Sequence, residues 1–404
     1  MTSFLSWIDH DPTARERSQQ ILALFSEKES RDELGMGTIR DAIADLLFPG
    51  TSTIQTRLRY FLFVPWTYEA LERGNRRGEA FLADGRRDEL RMLSTFQKQE
   101  GDRGLIGEEA GASLKRLPSS VYWAGLHSWG IRKAFPGGME DYSNGWASFK
   151  KQVERILDKV GDEEEGDGAE SHRIWHRRAI ELRPEGFPNN MDFRLRLEER
   201  EFLTDRIRTS HPDSLLAWLA VRPEQVKGID AGYVWEHPNL GQFTSEVREI
   251  VELGRVLSGL TQGAAILYNL QLGEIKEDEE LKTTYREWFQ EWCADVEADL
   301  QAVGAWNPAR LWEIVTKGGG RPSLAAKSFL ETWHRHVLEA PRGLIENVAA
   351  RDLVKHREMA LKGGRSRFRN VAARNQWRGG AGTMAMEFRW TQAKRHLDDL
   401  VADL

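Results

Sequence analysis

Residues 32 to 66 read DELGMGTIRDAIADLLFPGTSTIQTRLRYFLFVPW, and this stretch decides the fold class. Thr38 can cap a first short helix, which Pro49 and Gly50 stop. Thr51 or Ser52 can cap a second helix that begins at once. Apolar residues recur at helical spacing in both segments: Ile39, Ala42, Ile43, Leu46 and Leu47, then Ile54, Leu58 and Phe61. The pattern predicts two helices joined by a tight turn over residues 38 to 63.

The start of the predicted second helix carries short polar and amide side chains, as in a helix-turn-helix that contacts the major groove of DNA. Gln55, Thr56 and Arg57 are therefore candidate base-contacting residues. The same residues also fit an ordinary helical hairpin in which hydroxyl groups only cap helices and arginines form internal ion pairs. A second module of this kind is predicted at residues 105 to 131, where Ser119 or Ser120 can cap a helix.

Helical periodicity dominates the rest of the chain. Apolar residues from Val247 to Leu270 keep helical spacing over a length that no strand reaches, which predicts a central buried helix. An aromatic stripe from Tyr285 to Trp292 also has helical spacing, and core packing explains it better than ligand stacking. Alternation over Thr383 to Trp390 predicts one short strand or hairpin near the C-terminus. The predicted fold is mainly α with minor β.

The charge is unevenly distributed along the chain. The net charge is −6, yet residues 321–404 contain 16 Lys and Arg against 9 Asp and Glu. Residues 161–170 read GDEEEGDGAE and are predicted to form an acidic linker or loop. The glycines of residues 317–322 mark a second break. We expect a helical part at 1–160, a Trp-rich helical part at 171–317 and a basic module at 321–404.

Composition limits the class of protein. With 404 residues and 40% hydrophobic content, the chain can bury a core without a disulfide or metal. No stretch approaches the roughly 18 consecutive apolar residues of a membrane span. The opening residues lack the pattern of a secretory signal, so a cytoplasmic location is expected.

Signatures of catalysis and of cofactor binding are missing from the sequence. The glycines at 35 and 37 lack the rest of a dinucleotide-binding motif, and residues 317–321 lack the Gly-Lys-Ser/Thr of a P-loop. His172 and His176 have no acid between them, and the single Cys293 is expected to be a small buried residue. We therefore predict no cofactor, no metal and no catalytic residue, although a nuclease built from scattered acids would escape such a search.

The densest positive charge lies at residues 355–378, which contain eight Lys and Arg and one acid, Glu358. Such a run can pair with phosphates, while Phe368 and Trp377 can stack on bases. The candidate phosphate-binding residues are Lys362, Arg365, Arg367, Arg369, Arg374 and Arg378. The run also fits a solvated helix face, or a cationic strip that docks on the acidic remainder of the chain or on a partner protein.

Five segments together resemble a bacterial family known only as a domain of unknown function. They are residues 3–11 (SFLSWIDHD), the stretch 31–66, residues 114–131 (LKRLPSSVYWAGLHSWGI), 263–274 (GAAILYNLQLGE) and 386–400 (MEFRWTQAKRHLDDL). The resemblance covers nearly the whole chain. It implies an accessory role in anti-phage defence, beside helicases and phospholipase-D-like nucleases. It supplies no catalytic residues.

These observations favour a cytoplasmic, non-enzymatic protein that contacts DNA or RNA through its basic module and helps a helicase or nuclease partner in defence. The main alternative is a scaffold subunit of such a complex, which binds a partner protein and no nucleic acid. A third possibility is a nuclease without recognisable motifs.

Overall fold

The computed structural model describes residues 32–96, 104–107, 113–160, 173–189 and 192–402. These ranges contain sixteen α-helices and no β-strand, which confirms the mainly α prediction. The first eight helices are α1 Gly37–Leu47, α2 Tyr60–Leu71, α3 Gly78–Phe96, α4 Pro118–Ser128, α5 Met139–Val160, α6 Arg177–Glu181, α7 Leu197–Ser210 and α8 Leu215–Ala220. The other eight are α9 Ser245–Ile275, α10 Glu279–Ala298, α11 Leu300–Ala305, α12 Pro308–Lys317, α13 Leu324–Glu339, α14 Val348–Lys362, α15 Val371–Asn375 and α16 Trp390–Val401.

The chain divides into two compact units, each built from two separate stretches. The larger unit contains residues 44–248 and 387–402, and the smaller unit contains residues 32–43 and 249–386. This grouping differs from the three-part division expected from the sequence. The glycine turn at residues 318–320 lies inside the smaller unit, where Gly320 packs against Val315 and Ala42. The acidic segment 161–170 lies outside the described residues.

In the larger unit, α2 forms the centre of the core. All nine residues from Tyr60 to Tyr68 are buried, and the helix packs against α3, α4 and α6. The Phe61 ring stacks on Trp129 with 3.9 Å between ring centroids. A helix that is apolar on every side can be stable in water only when neighbours surround it, which explains why α2 occupies the middle of this unit.

In the smaller unit, α9 forms the centre of the core. By length and composition α9 could cross a membrane, but 78% of its most apolar window is buried inside the protein, as in a core helix. The indole groups of Trp292 and Trp333 donate hydrogen bonds to the α9 carbonyl oxygens of Gly259 and Leu260, both at 2.7 Å. The aromatic stripe of α10 therefore belongs to the core, as predicted, and the buried central helix predicted over residues 247–270 is confirmed.

The second helix of the predicted N-terminal hairpin begins later than expected. It starts at Tyr60, whereas Thr51 or Ser52 was the expected cap. Residues 51–59 form turns because other groups bind their backbone: the Tyr122 hydroxyl accepts hydrogen bonds from the N–H groups of Thr56 and Arg57 at 2.9 and 3.1 Å. These tertiary bonds replace the bonds that a helix would make.

The predicted helix after Pro118 does form, as α4. Its expected inward residues Val121, Tyr122 and Leu126 are buried, and so is Trp129 just beyond its end. Neither serine caps it through its side chain. Instead the hydroxyl group of Ser119 donates to the buried carboxylate of Glu89 at 2.7 Å.

The prediction of a strand over Thr383 to Trp390 was wrong. This segment forms turns and then enters α16. Its polar backbone atoms find partners on the side chains of α9: Gln262 donates to the Thr383 carbonyl oxygen and the Met386 N–H donates to the Ser258 hydroxyl oxygen. A strand needs a neighbouring strand for these groups, and the chain places a helix there.

One buried histidine gives the larger unit a testable dependence on pH. His396 of α16 is completely buried beside the rings of Phe61, Tyr122 and Trp129, and neither ring nitrogen has a hydrogen-bond partner among the described residues. Burial, followed by the positive charges of Arg395 and Arg57, lowers the pKa of His396 from 6.5 to about 3.

We expect the free energy of unfolding to fall as the pH drops from 6.5 towards 3, by at most ~1.4 kcal/mol per pH unit for this one group. The unfolded chain binds a proton in that range and the folded chain does not. His396→Leu should remove this contribution, so urea unfolding between pH 5 and 8 should give a flatter profile for the variant. His211 and His237, whose pKa values burial also lowers, are present in both proteins. Parallel profiles would contradict the assignment.

Candidate nucleic-acid interface

The basic run of the smaller unit ends α14 and then folds into a compact loop at residues 363–378, here called the arginine loop. Gly363 ends α14 with a positive φ of 55°, and its N–H donates to the Met359 carbonyl oxygen. Asn370 closes the loop, since its side chain donates to the Gly364 carbonyl oxygen and accepts from the Ala373 N–H, both at 3.0 Å. The loop therefore has a defined shape, although its only regular elements are a 3-10 turn at Gly363–Arg365 and the five-residue helix α15.

A buried carboxylate anchors the arginine loop. Glu358 of α14 is fully buried and accepts hydrogen bonds from the Ser366 hydroxyl group at 2.5 Å and the Arg367 N–H at 2.8 Å. Glu358 is the one acid of the run 355–378. Because it points inward, the run presents no carboxylate of its own to solvent.

Two of the predicted phosphate-binding cations also point inward. Arg367 is 7% exposed, lies 3.2 Å from Glu33 and donates to the Tyr268 hydroxyl oxygen at 3.1 Å. Lys362 pairs with the same Glu33 carboxylate at 3.1 Å. Burial raises the pKa of Tyr268, which keeps its hydroxyl group neutral beside the guanidinium. Arg367 and Lys362 thus serve the fold of the smaller unit.

The segment at residues 32–37 completes this anchor. Arg357 of α14 donates to the Leu34 carbonyl oxygen at 2.8 Å. Gly35 has a positive φ of 74°, and a Cβ atom there would lie 2.6 Å from the Arg357 guanidinium. Only glycine allows this close approach without displacing the arginine. Asp32 accepts the N–H groups of Met36 and Gly37 at the start of α1.

Both aromatic side chains of the arginine loop pack against α9, although the sequence predicted a role in base stacking for them. Trp377 is 1% exposed and donates its indole N–H to the Asn269 side chain at 3.1 Å. Phe368 is half-buried and meets the Tyr268 ring edge-on, with 5.6 Å between centroids. These rings hold the loop against α9.

Three of the remaining cations of the loop face outward. Arg365, Arg369 and Arg378 are exposed, and Lys355 is half-buried. Arg374 is also half-buried, because its guanidinium donates to the Arg367 carbonyl oxygen at 2.8 Å. The loop therefore presents guanidinium groups on a fixed backbone, with the nearest acid in sequence turned into the core. Such a surface attracts phosphate groups.

The predicted base-contacting residues of the larger unit are already engaged. Gln55 is 2% exposed, and its amide binds the backbone of Gly50 and Ser52. Arg57 makes an ion pair of 2.9 Å with Asp399 of α16, and the Thr56 backbone is held by Tyr122. Base contact by these three side chains remains a prediction, but Gln55 and Arg57 would first have to leave their partners, and the Thr56 hydroxyl oxygen is buried.

Comparison with known proteins places the chain in a family. A family model described as a family of unknown function, DUF6361, matches residues 2–403. The chain belongs to this family. No curated protein and no solved structure matches it.

Sequence reasoning missed the anchors of the arginine loop in this DUF6361 chain. Glu33, Tyr268 and Asn269 are far from the loop in sequence, and each binds one of its residues. One local sequence pattern could have indicated which arginine points inward. Arg365, Arg367 and Arg369 alternate, and only the middle residue points inward.

A second feature of the DUF6361 chain is a cleft of about 430 Å³ in the larger unit. At its base, the Glu72 carboxylate accepts hydrogen bonds from Tyr142 and Trp175 and pairs with Lys150 at 2.8 Å. Burial raises the pKa of Glu72. The Glu72 carboxylate binds three donors and thereby links the end of α2 to α5 and to the segment before α6. Nowhere in the described ranges do three or more His, Cys, Asp or Glu side chains cluster as metal ligands.

Removing Glu33 should destabilise the smaller unit of the DUF6361 chain. Glu33→Ala leaves Arg367 and Lys362 without their shared carboxylate in a mostly buried site, and we expect a loss of about 3 kcal/mol in the free energy of unfolding. Asp352→Ala on the exposed side of α14 is the matched control, with an expected change within about 0.5 kcal/mol. Urea unfolding measures both. Equal effects of the two variants would contradict the anchoring role.

Proposed function

We propose that this DUF6361 protein is a non-enzymatic nucleic-acid-binding subunit of a bacterial anti-phage defence system, and that it works in the cytoplasm with a helicase or a phospholipase-D-like nuclease. The defence role and the partners rest on the resemblance of the sequence to a bacterial family. The nucleic-acid contact rests on the residues of the arginine loop.

One observation supports the nucleic-acid contact above the others. The arginine loop exposes Arg365, Arg369 and Arg378 while its one acid, Glu358, is fully buried. Elsewhere on the chain, exposed arginines often lie beside acids, as Arg73 does with Glu69 and Arg208 with Asp205. Arginines without a neighbouring acid keep their full attraction for phosphate.

The alternative of a protein scaffold would use exposed apolar side chains of the smaller unit. Leu324 and Val348, the first residues of α13 and α14, are 84% and 71% exposed. Large exposed apolar side chains are common at protein interfaces when they are grouped. Co-purification of neighbouring gene products by a chain that binds no DNA would favour this function.

The nucleic-acid contact is tested by binding to a fluorescent duplex and a fluorescent single strand across a salt series. We expect the logarithm of the binding constant to fall linearly with the logarithm of the salt concentration, because phosphate contacts release counterions. Replacing Arg365, Arg369 and Arg378 together by Gln should weaken duplex binding on the order of a hundredfold at low salt and reduce the slope by about 3.

The matched control replaces Arg73, Arg87 and Arg208 by Gln, which changes the net charge equally. Each of these exposed arginines lies beside an acid, so we expect little change in affinity. Absence of binding by the folded wild-type chain at low salt would overturn the proposed function. Equal losses in both triple variants would show that net charge matters and the arginine loop does not.

A further inference from the structure

We propose, on the basis of the proposed function, that α15 contacts bases in the major groove of duplex DNA and favours A·T pairs through Asn375 and Gln376. Arg369 and Arg378 lie on either side of α15 in the sequence and would hold the phosphates. The side chains of the arginine loop that point into solvent define this contact surface.

The helical repeat divides this part of the loop into two faces. Trp377 is buried, and Ala373 and Arg374 are half-buried, so these residues form the inner face. The outer face consists of four exposed residues: Val371, Ala372, Asn375 and Gln376. Spacings of three and four residues place these four side chains on one side of α15, which Gln376 extends by one residue.

The outer face has the chemistry that A·T pairs present in the major groove. A side-chain amide can donate to adenine N7 and accept from adenine N6, and an aliphatic group can contact the thymine methyl group. Asn375 and Gln376 supply two amides, while Val371 and Ala372 supply methyl groups. Guanine is the usual partner of a base-contacting arginine, and no arginine lies on this outer face.

The loop supplies the rigidity that such contacts need. Asn370 caps α15 by accepting the Ala373 N–H, and Arg374 binds the backbone at Arg367 and Phe368. Trp377 fixes the end of the helix to Asn269 of α9. An α-helix with its side chains is about 10–12 Å in diameter, which matches a major groove about 12 Å wide. The deep, narrow major groove of A-form RNA would not admit it.

The exposed arginines of the loop are suited to phosphate contacts, while the outer face of α15 is suited to base contacts. Arg365, Arg369 and Arg378 are exposed and are not part of the outer face of α15, so we assign them to the phosphates of the duplex. Phosphate contacts position a protein on DNA and base contacts specify the sequence. The outer face supplies the second kind of contact, which Gln55, Thr56 and Arg57 were predicted to supply.

The test compares three duplexes of one A·T-rich sequence: the natural one, one with 7-deazaadenine and one with uracil in place of thymine. Removing adenine N7 or the thymine methyl group leaves base pairing intact. We expect the wild-type chain to bind the 7-deazaadenine duplex about tenfold more weakly and the uracil duplex several-fold more weakly. The double variant Asn375→Ala, Gln376→Ala should bind the first two duplexes equally and keep the salt slope of the wild type.

Asn75→Ala with Gln290→Ala is the matched control, because both amides are exposed on other parts of the chain. This control should retain full discrimination. Salt-dependent binding of equal strength to the natural and 7-deazaadenine duplexes would overturn the role of α15 and leave the proposed function standing. Tighter binding to duplex RNA than to DNA would also overturn it, and no binding to any nucleic acid would overturn both proposals.

Discussion

The smaller unit depends on burying two carboxylates inside the most basic part of the chain. Eight cations within residues 355–378 would repel one another if all were turned to the same side. Glu33 and Glu358 divide them: Arg367 and Lys362 turn inward to Glu33, and Glu358 holds the backbone at Ser366 and Arg367. The backbone of the outward-facing arginines is held in place because the residues next to them in sequence bind Glu33 and Glu358.

In the larger unit, buried carboxylates also turn arginines inward. Residues 51–59 look like a ligand-binding surface because most of them are polar, yet the side chains of Gln55, Arg57 and Arg59 serve the interior. Arg59 pairs with the fully buried Glu199 at 2.8 Å, and Arg57 pairs with Asp399. A buried charge is tolerated only when a partner and hydrogen bonds accompany it, so these arginines fix how α2, α7 and α16 meet. Polarity in a sequence motif therefore did not indicate exposure here.

The sequence predicted the features that depend on local periodicity. The mainly α class, the buried helix α9, the aromatic stripe of α10 and the inward face of α4 all follow from apolar spacing. Features that depend on distant partners escaped prediction. Tyr122 keeps residues 51–59 out of a helix, and Ser258 and Gln262 keep residues 383–386 out of a strand. At the candidate site, the basic run predicted the surface, but only distant groups such as Glu33 and Asn269 decide which of its members reach solvent.

The way each unit is assembled from separate stretches also constrains how the chain matures during translation. Arg57 and its partner Asp399 are 342 positions apart, and α16 completes the core around Phe61 and Trp129. The ribosome therefore produces nearly all of the larger unit before the helix that closes it exists. During that interval the apolar groups of α2 and α4 that later cover His396 remain uncovered, which is the condition in which nascent chains bind chaperones. These apolar groups can be covered only after residues 387–402 have been synthesised.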